Sequence, residues 1–259
     1  MARTKQAMAA DIDISLRNLR TDYIDLYQIH NATPADLETI TAPGGALEAL
    51  MAAKAAGKIG HIGVTAHSVE VFEKALSYDW VETIMFPYNI VETQGEALIR
   101  RCKEQNVGFI AMKPLAGGAI EDATLALRFL NANEDVSVVI PGMADPAELD
   151  QNLAAVNDAS PLSAEELEKI DAVRKELGTQ FCRRCGYCAP CTVGINIPGV
   201  FLFEGYLRRY GLADWARDRY AALPVKASAC IGCGECEPRC PYNLPIRQML
   251  KKSAEGFGE

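Results

Sequence analysis

A chain of 259 residues with 49% hydrophobic and 23% charged residues has the makings of a soluble fold with a sizeable core, arranged as one large domain or two. Its formal net charge of -8 and sequence pI near 5.1 exclude nucleic acid as a partner, because affinity for a phosphate backbone rests on clustered Lys and Arg. The opening MARTKQAMAADIDISL has no apolar signal core, and no run of about 18 apolar residues is long enough to span a bilayer. The expectation is a cytoplasmic protein with no membrane partner.

In chain order, Met8, Ile12, Leu16 and Leu19 fall at helical spacing and predict a helix from Arg3 to about Leu19. YIDLYQI, Tyr23 to Ile29, has the length and β-branched content of a buried strand. Gly45 to Ala56 is an Ala-rich helix that Gly57 ends. The same alternation recurs as HIGVTA then VEVFEKALSY, ETIMFPYN then EALIRRCKEQ, VGFIAMK then ATLALRFLNA, and VSVVIP then PAELDQNLAAV. About five strand–helix units in series predict an α/β fold with a parallel sheet covered by helices. Ser163-Ala-Glu-Glu166 is a capping-box pattern opening a helix to about Leu177, with Gly178 as its stop. This divides the chain into residues 1–178 and a small, mainly helical residues 179–259. There, Gly199 to Tyr220 reads as helical and carries Phe201, Phe203, Tyr206, Tyr210, Trp215 and Tyr220, aromatics expected to pack the small domain against the sheet domain.

Eight of the nine cysteines form two tight runs, Cys182-x2-Cys185-x2-Cys188-x2-Cys191 and Cys230-x2-Cys233-x2-Cys236-x3-Cys240 followed by Pro241. Such spacing suits a metal centre in a reducing compartment better than disulfides. The second run matches the two-cluster bacterial ferredoxin pattern, in which three closely spaced thiolates wrap a cubane and the fourth cysteine ligates the other cluster. This predicts a ferredoxin-like domain with two [4Fe–4S] clusters, one on Cys182, Cys185, Cys188 and Cys240, the other on Cys230, Cys233, Cys236 and Cys191. Structural zinc is the rival, but zinc sites are built from two cysteine pairs rather than evenly spaced triplets. Cys102 lies outside both runs and is expected to be an ordinary packed thiol.

DYIDLYQIHN, GKIGHIGVTAHS, FPYN, AMKPLAGG and VVIPGMADPAELDQNL together resemble the aldo-keto reductase family, and more closely its subgroup with a ferredoxin-like tail. The resemblance implies a (β/α)8 TIM barrel whose function gathers on loops at the C-terminal strand ends, of which this sequence holds about five units and lacks the first three. It also implies nicotinamide-linked carbonyl/alcohol chemistry, with NAD(P)H as cofactor and a small carbonyl compound as substrate. The family's catalytic tyrosine, aspartate and lysine come from the N-terminal third, so His30 is the catalytic residue that carries over, to orient the substrate carbonyl or donate a hydrogen bond to it. Thr65, Asn89, Lys113, Gly142 and Asn152 carry over as cofactor-binding positions. Thr65 stands where serine is common, Met85 and Met112 stand near positions that often hold glutamine and an aromatic residue, and Gly142 and Glu148 replace the basic residues that often grip a 2′-phosphate. Backbone N–H groups near Gly142 and Pro146 remain available, on this reading, for a pyrophosphate.

Nicotinamides exchange hydride, whereas a [4Fe–4S] cluster passes one electron, and the sequence shows no Gly-rich dinucleotide fingerprint for a flavin. The clusters are therefore expected to serve a redox partner protein or flavin carrier, or else only the architecture of the tail. The alternative is an electron-transfer or cluster-carrying subunit without carbonyl reductase activity.

Overall fold

Each apolar run of the first two-thirds forms an element in the computed structural model, which describes residues 1–178, 181–208 and 212–259. Helix α1 (Lys5–Leu19) is capped by Thr4 and buries Met8, Ile12 and Leu16. Leu19 is on the same face, yet at the helix's last residue it is 64% exposed, because Arg20 turns the chain away with φ 55°. Strand β1 (Ile24–Ile29) follows, then α2 (Pro34–Thr41), a short helix absent from the sequence expectation and held by a Thr33–Asp36 capping box. The alternation then runs α3 (Ala46–Ala55), β2 (Ile59–Thr65), α4 (Val69–Ala75), β3 (Thr83–Pro87), α5 (Glu96–Glu104), β4 (Gly108–Met112), α6 (Ala123–Asn131), β5 (Val138–Val139), α7 (Pro146–Asn157) and α8 (Ala164–Leu177). At α8 the capping box forms as spelled, the Ser163 N–H donating to Glu166 Oε2 at 2.8 Å and the Glu166 N–H to Ser163 Oγ at 3.2 Å.

All five strands are parallel, in the order β1-β2-β3-β4-β5, the arrangement of part of a (β/α)8 barrel. The register pairs Ile29 with Val64, Thr65 with Met85 and Pro87 with Met112, which brings the residues following each strand to a common edge. Between sheet and helices lies a core in which Phe72 packs on Phe86 and Phe109 with ring centres 5.1 and 5.8 Å apart. Close strand contact leaves no room for a side chain at Gly63, whose Cβ would stand 2.1 Å from Thr83 Oγ1.

The chain divides into two compact units, and the main boundary falls inside α8 between Asp171 and Ala172. In the second unit the helical stretch expected from Gly199 to Tyr220 is two helices, α9 (Ile197–Arg208) and α10 (Ala213–Ala221). A 3-10 turn at Ala227–Ala229 and α11 (Ile246–Phe257) complete it. Several of its aromatics pack on one another within the unit. Phe201 and Tyr220 belong to its own core, Trp215 meets Phe203 and Tyr206 edge-on, and Tyr220 stacks on Phe257 at 3.8 Å. Tyr210, from the same expectation, lies outside the described residues. Among the described residues no helix is long and apolar enough to cross a membrane.

Candidate functional site

Short gaps between cysteines oblige the backbone to curl back on itself, and Gly232 and Gly234 do so in the second run with φ of 71° and 82°. The outcome is two cysteine-lined cavities. Cys182, Cys185, Cys188 and Cys240 line one, together with Arg183 and Tyr242. Cys191, Cys230, Cys233 and Cys236 line the other, together with Arg239 and Arg247. In each case three cysteines of one run meet the last cysteine of the other run.

Among the described residues no three His, Cys, Asp or Glu side chains converge on a point suited to a single metal ion, whereas each quartet surrounds a space. Four sulfur donors around a space fit an iron–sulfur cubane. Taken as free thiols, burial and then the charges of Cys182, Cys185 and Cys240 push Cys188 up to about 12. Burial, followed by nearby charges that include Cys230 and Cys191, also raises Cys236. Sulfurs this close ionise together only against a strong positive charge, which bound iron provides. Cys233 differs: it is exposed, and hydrogen bonds from Thr192 Oγ1 and then the Glu235 N–H lower it. Cys102 is fully buried in α5, where burial pushes it up to about 12, the behaviour of a packed thiol.

At the sheet edge, His30, Thr65, Asn89 and Lys113 all follow or end strands, yet most of their polar atoms serve the fold. Thr65 is buried, and its Oγ1 accepts the Asn31 N–H at 2.8 Å. Asn89 is wholly buried; its Oδ1 accepts the N–H groups of Val91 and Glu92, and its Nδ2 donates to Glu92 Oε2 and to the Lys113 carbonyl. His30 is exposed, with its main-chain carbonyl accepting from Arg3 at 3.2 Å.

Lys113 takes φ 56° and points its Nζ at His67 Nε2, 3.0 Å away. His67 is a site residue the sequence reading missed. It is buried, its Nδ1 lies 3.1 Å from Asn31 Oδ1, and burial, then the charges of Lys113 and His30, lower it to about 3. The available signal was its place two residues beyond Thr65, since alternate positions leave a strand on the same side.

Gly142 is exposed and Asn152 buried. The helix start between them does not present free N–H groups, contrary to expectation. Asp145 Oδ1 accepts from Ala147 and Glu148 at 2.8 and 3.0 Å, and Glu148 Oε2 accepts from Ala144. Two carboxylates occupy the place where a pyrophosphate would need donors.

The sheet unit and the cysteine unit each match a known family. Residues 2–125 and 120–175 match the Aldo/keto reductase family, and residues 181–245 match a 4Fe-4S dicluster domain. An uncharacterized oxidoreductase of Schizosaccharomyces pombe is 25% identical over 177 residues, 62% of this chain and 56% of that protein. A methylglyoxal reductase of Escherichia coli O157:H7 is 26% identical over 66% of this chain and 67% of its own. The holo form of an aldo-keto reductase from Bacillus halodurans superposes with a TM-score of 0.55 at 27% identity, covering 66% of this chain and 67% of that one. The chain spans 56% and 39% of the lengths of two curated oxidoreductases it matches. With a family match over most of its length and a cysteine unit of matching kind at its C-terminal end, the chain belongs to the aldo/keto reductase family and carries a 4Fe–4S domain.

Proposed function

We propose that this chain is an iron–sulfur oxidoreductase of the aldo-keto reductase type, holding two [4Fe–4S] clusters and acting in nicotinamide-linked carbonyl/alcohol chemistry within a complete barrel. The observation that carries the proposal is the pair of four-cysteine cavities, each completed by a cysteine from the other run. Bound clusters supply one-electron transfer. The chain's part is to furnish eight thiolates and to shield several of them behind Val200, Phe201, Ile246 and Leu250, which are buried with Cys188, Cys236 and Cys240 in one core. In the sheet unit His30 would face a small carbonyl substrate, with the charge for a dinucleotide's phosphates coming from elsewhere in the complete barrel. Passing single electrons calls for a redox partner protein or a flavin carrier, and eight reduced thiols suit the cytoplasm.

Anaerobic purification with iron and sulfide counted per chain tests this. Roughly eight irons with matching sulfide and a paramagnetic signal after dithionite are expected for two cubanes; zinc without sulfide would sink the reading.

A second reading, an electron-transfer subunit without carbonyl reductase activity, is favoured by the internal bonds of Thr65 and Asn89 and by the carboxylates at the α7 start. Titration with NADH, followed by its fluorescence, separates the two. Saturable binding supports the first reading, and its absence once the remaining barrel strands are supplied supports the second.

A further inference from the structure

We propose that the cysteine unit also binds a flavin, its ring seated in a cavity beside the quartet of Cys182, Cys185, Cys188 and Cys240; the inference rests on the iron–sulfur reading above and names the carrier that reading calls for. Helical spacing builds the cavity. Phe201 and Glu204 share one face of α9, and Gln248, Met249 and Lys252 share one face of α11. These two faces, with Glu176 near the end of α8 and with Phe181 and Cys182, bound a space of about 540 Å³. Small-molecule sites span about 300–1,000 Å³. Cys182 and Phe201 line this cavity and the quartet's cavity alike, so a molecule in the one stands against the wall of the other.

What lines the cavity decides its occupant. Phe181 and Phe201 are buried and Met249 is half-buried; aromatic rings and a thioether suit the face of a flat aromatic molecule. Glu204 and Arg208 pair with each other at 2.6 Å, and the other charges of the lining, Glu176 and Lys252, are one of each sign. A lining without net charge suits a neutral ring better than the phosphates of a dinucleotide, which call for cations. The exposed rim offers an acceptor in the Glu176 carboxylate, a donor in the Lys252 ammonium and both in the Gln248 amide. The isoalloxazine ring of a flavin uses both kinds, because its edge has two carbonyls with an N–H between them. A quinone ring shows carbonyls alone.

The electron count agrees with this choice. A reduced nicotinamide gives two electrons as hydride, whereas a cubane takes one. A flavin in this cavity takes the hydride from a reduced nicotinamide together with a proton from water, and then gives the two electrons up singly while two protons return to water. Two clusters take one electron each and pass them to the partner protein.

The test uses the full chain under argon with its clusters in place, and riboflavin as the probe. Riboflavin fluorescence is expected to quench saturably, with one site per chain. Glu176→Ala and Gln248→Ala, both at exposed positions, should each weaken binding about three- to tenfold, the worth of one hydrogen bond. Met249→Trp, which fills the cavity, should abolish binding, and all three variants should keep the native iron content. After reduction by dithionite and removal of the excess, one riboflavin per chain should lose its visible absorption while both clusters lose their paramagnetic signals.

No saturable binding in a chain with about eight irons overturns the inference and leaves the iron–sulfur reading standing. Binding that all three variants leave unchanged also overturns it, since the flavin would then sit elsewhere. So does a bound riboflavin that exchanges no electrons with the reduced clusters. Tighter binding of menadione, a naphthoquinone without an N–H, overturns the choice of a flavin. Zinc without sulfide is a distinct result: it refutes the iron–sulfur reading and the inference with it.

Discussion

Lys113 Nζ lies 3.0 Å from His67 Nε2, and the far side of the same ring meets Asn31 Oδ1 at 3.1 Å. An amide oxygen only accepts, so His67 carries its proton on Nδ1 and Nε2 accepts from the Lys113 ammonium. Residues from the ends of β1, β2 and β4 are thereby tied through one neutral imidazole.

That neutrality predicts a pH dependence. Burial first, then the charges of Lys113 and His30, hold His67 at about 3 in the folded chain, against an ordinary value of 6.5. Between these values the unfolded chain binds the proton and the folded one does not, so folding stability from this group is complete above 6.5 and is lost as pH falls toward 3. His67→Gln should flatten the fall in melting temperature between pH 7 and pH 5. An equally steep fall in the variant would refute the assignment.

Asn89 is predicted to be a structural knot. Truncation in Asn89→Ala strands the Val91 N–H, removes a donor from the buried Glu92 carboxylate, and leaves the Glu92 N–H and the Lys113 carbonyl with their main-chain partners alone. Leaving buried polar groups unmatched costs about 1–3 kcal/mol each when nothing replaces the bond, and relaxation limits the whole to roughly 2–4 kcal/mol. Urea unfolding measures it; a loss below about 0.5 kcal/mol, typical of surface changes, would contradict the knot.

Glu82 predicts a second, more acidic transition. Burial opposes its charge, but hydrogen bonds from Lys54, His61 and the Ile62 N–H, with the Lys54 charge, outweigh it and hold the carboxyl at about 2. A depressed carboxylate contributes stability that is complete above its ordinary 4.5 and is lost as pH falls through about 2. Glu82→Gln should therefore be less stable than the native chain above pH 4.5, with the gap closing near pH 2, as thermal melts across that range would show.

Cys240→Ala is expected to empty the cavity of the first run, although Cys240 belongs to the second. About four irons should remain per chain. The paramagnetic signal that survives after reduction should be the one that Cys233→Ser alters, since Cys233 lines the other cavity. Loss of that signal would mean that the cysteines do not cross between runs.

The strand–helix alternation, the Ser163–Glu166 cap and both cysteine runs were legible in the sequence because each is a local pattern. Period, cap spacing and ligand spacing are read within a dozen residues. Helix α2 escaped because eight residues give too little periodicity, and its signal was the Thr33–Asp36 cap. The break between α9 and α10 escaped because aromatics continue at helical spacing on both sides of it.

Family resemblance named Thr65 and Asn89 by position, but position does not say where a polar atom finds its partner. That is decided when β1, β2, β3 and β4 come side by side, and there Asn31 and the Lys113 carbonyl occupy those atoms. The same holds for charge. The sequence by itself determined that eight thiols would gather around space for iron, since two-residue gaps confine them. Only the tertiary structure decided that Phe181 and Tyr242, 61 residues apart in the chain, would bury Arg183 beside one quartet and leave Cys233 of the other in water, because burial depends on what the chain brings back from a distance.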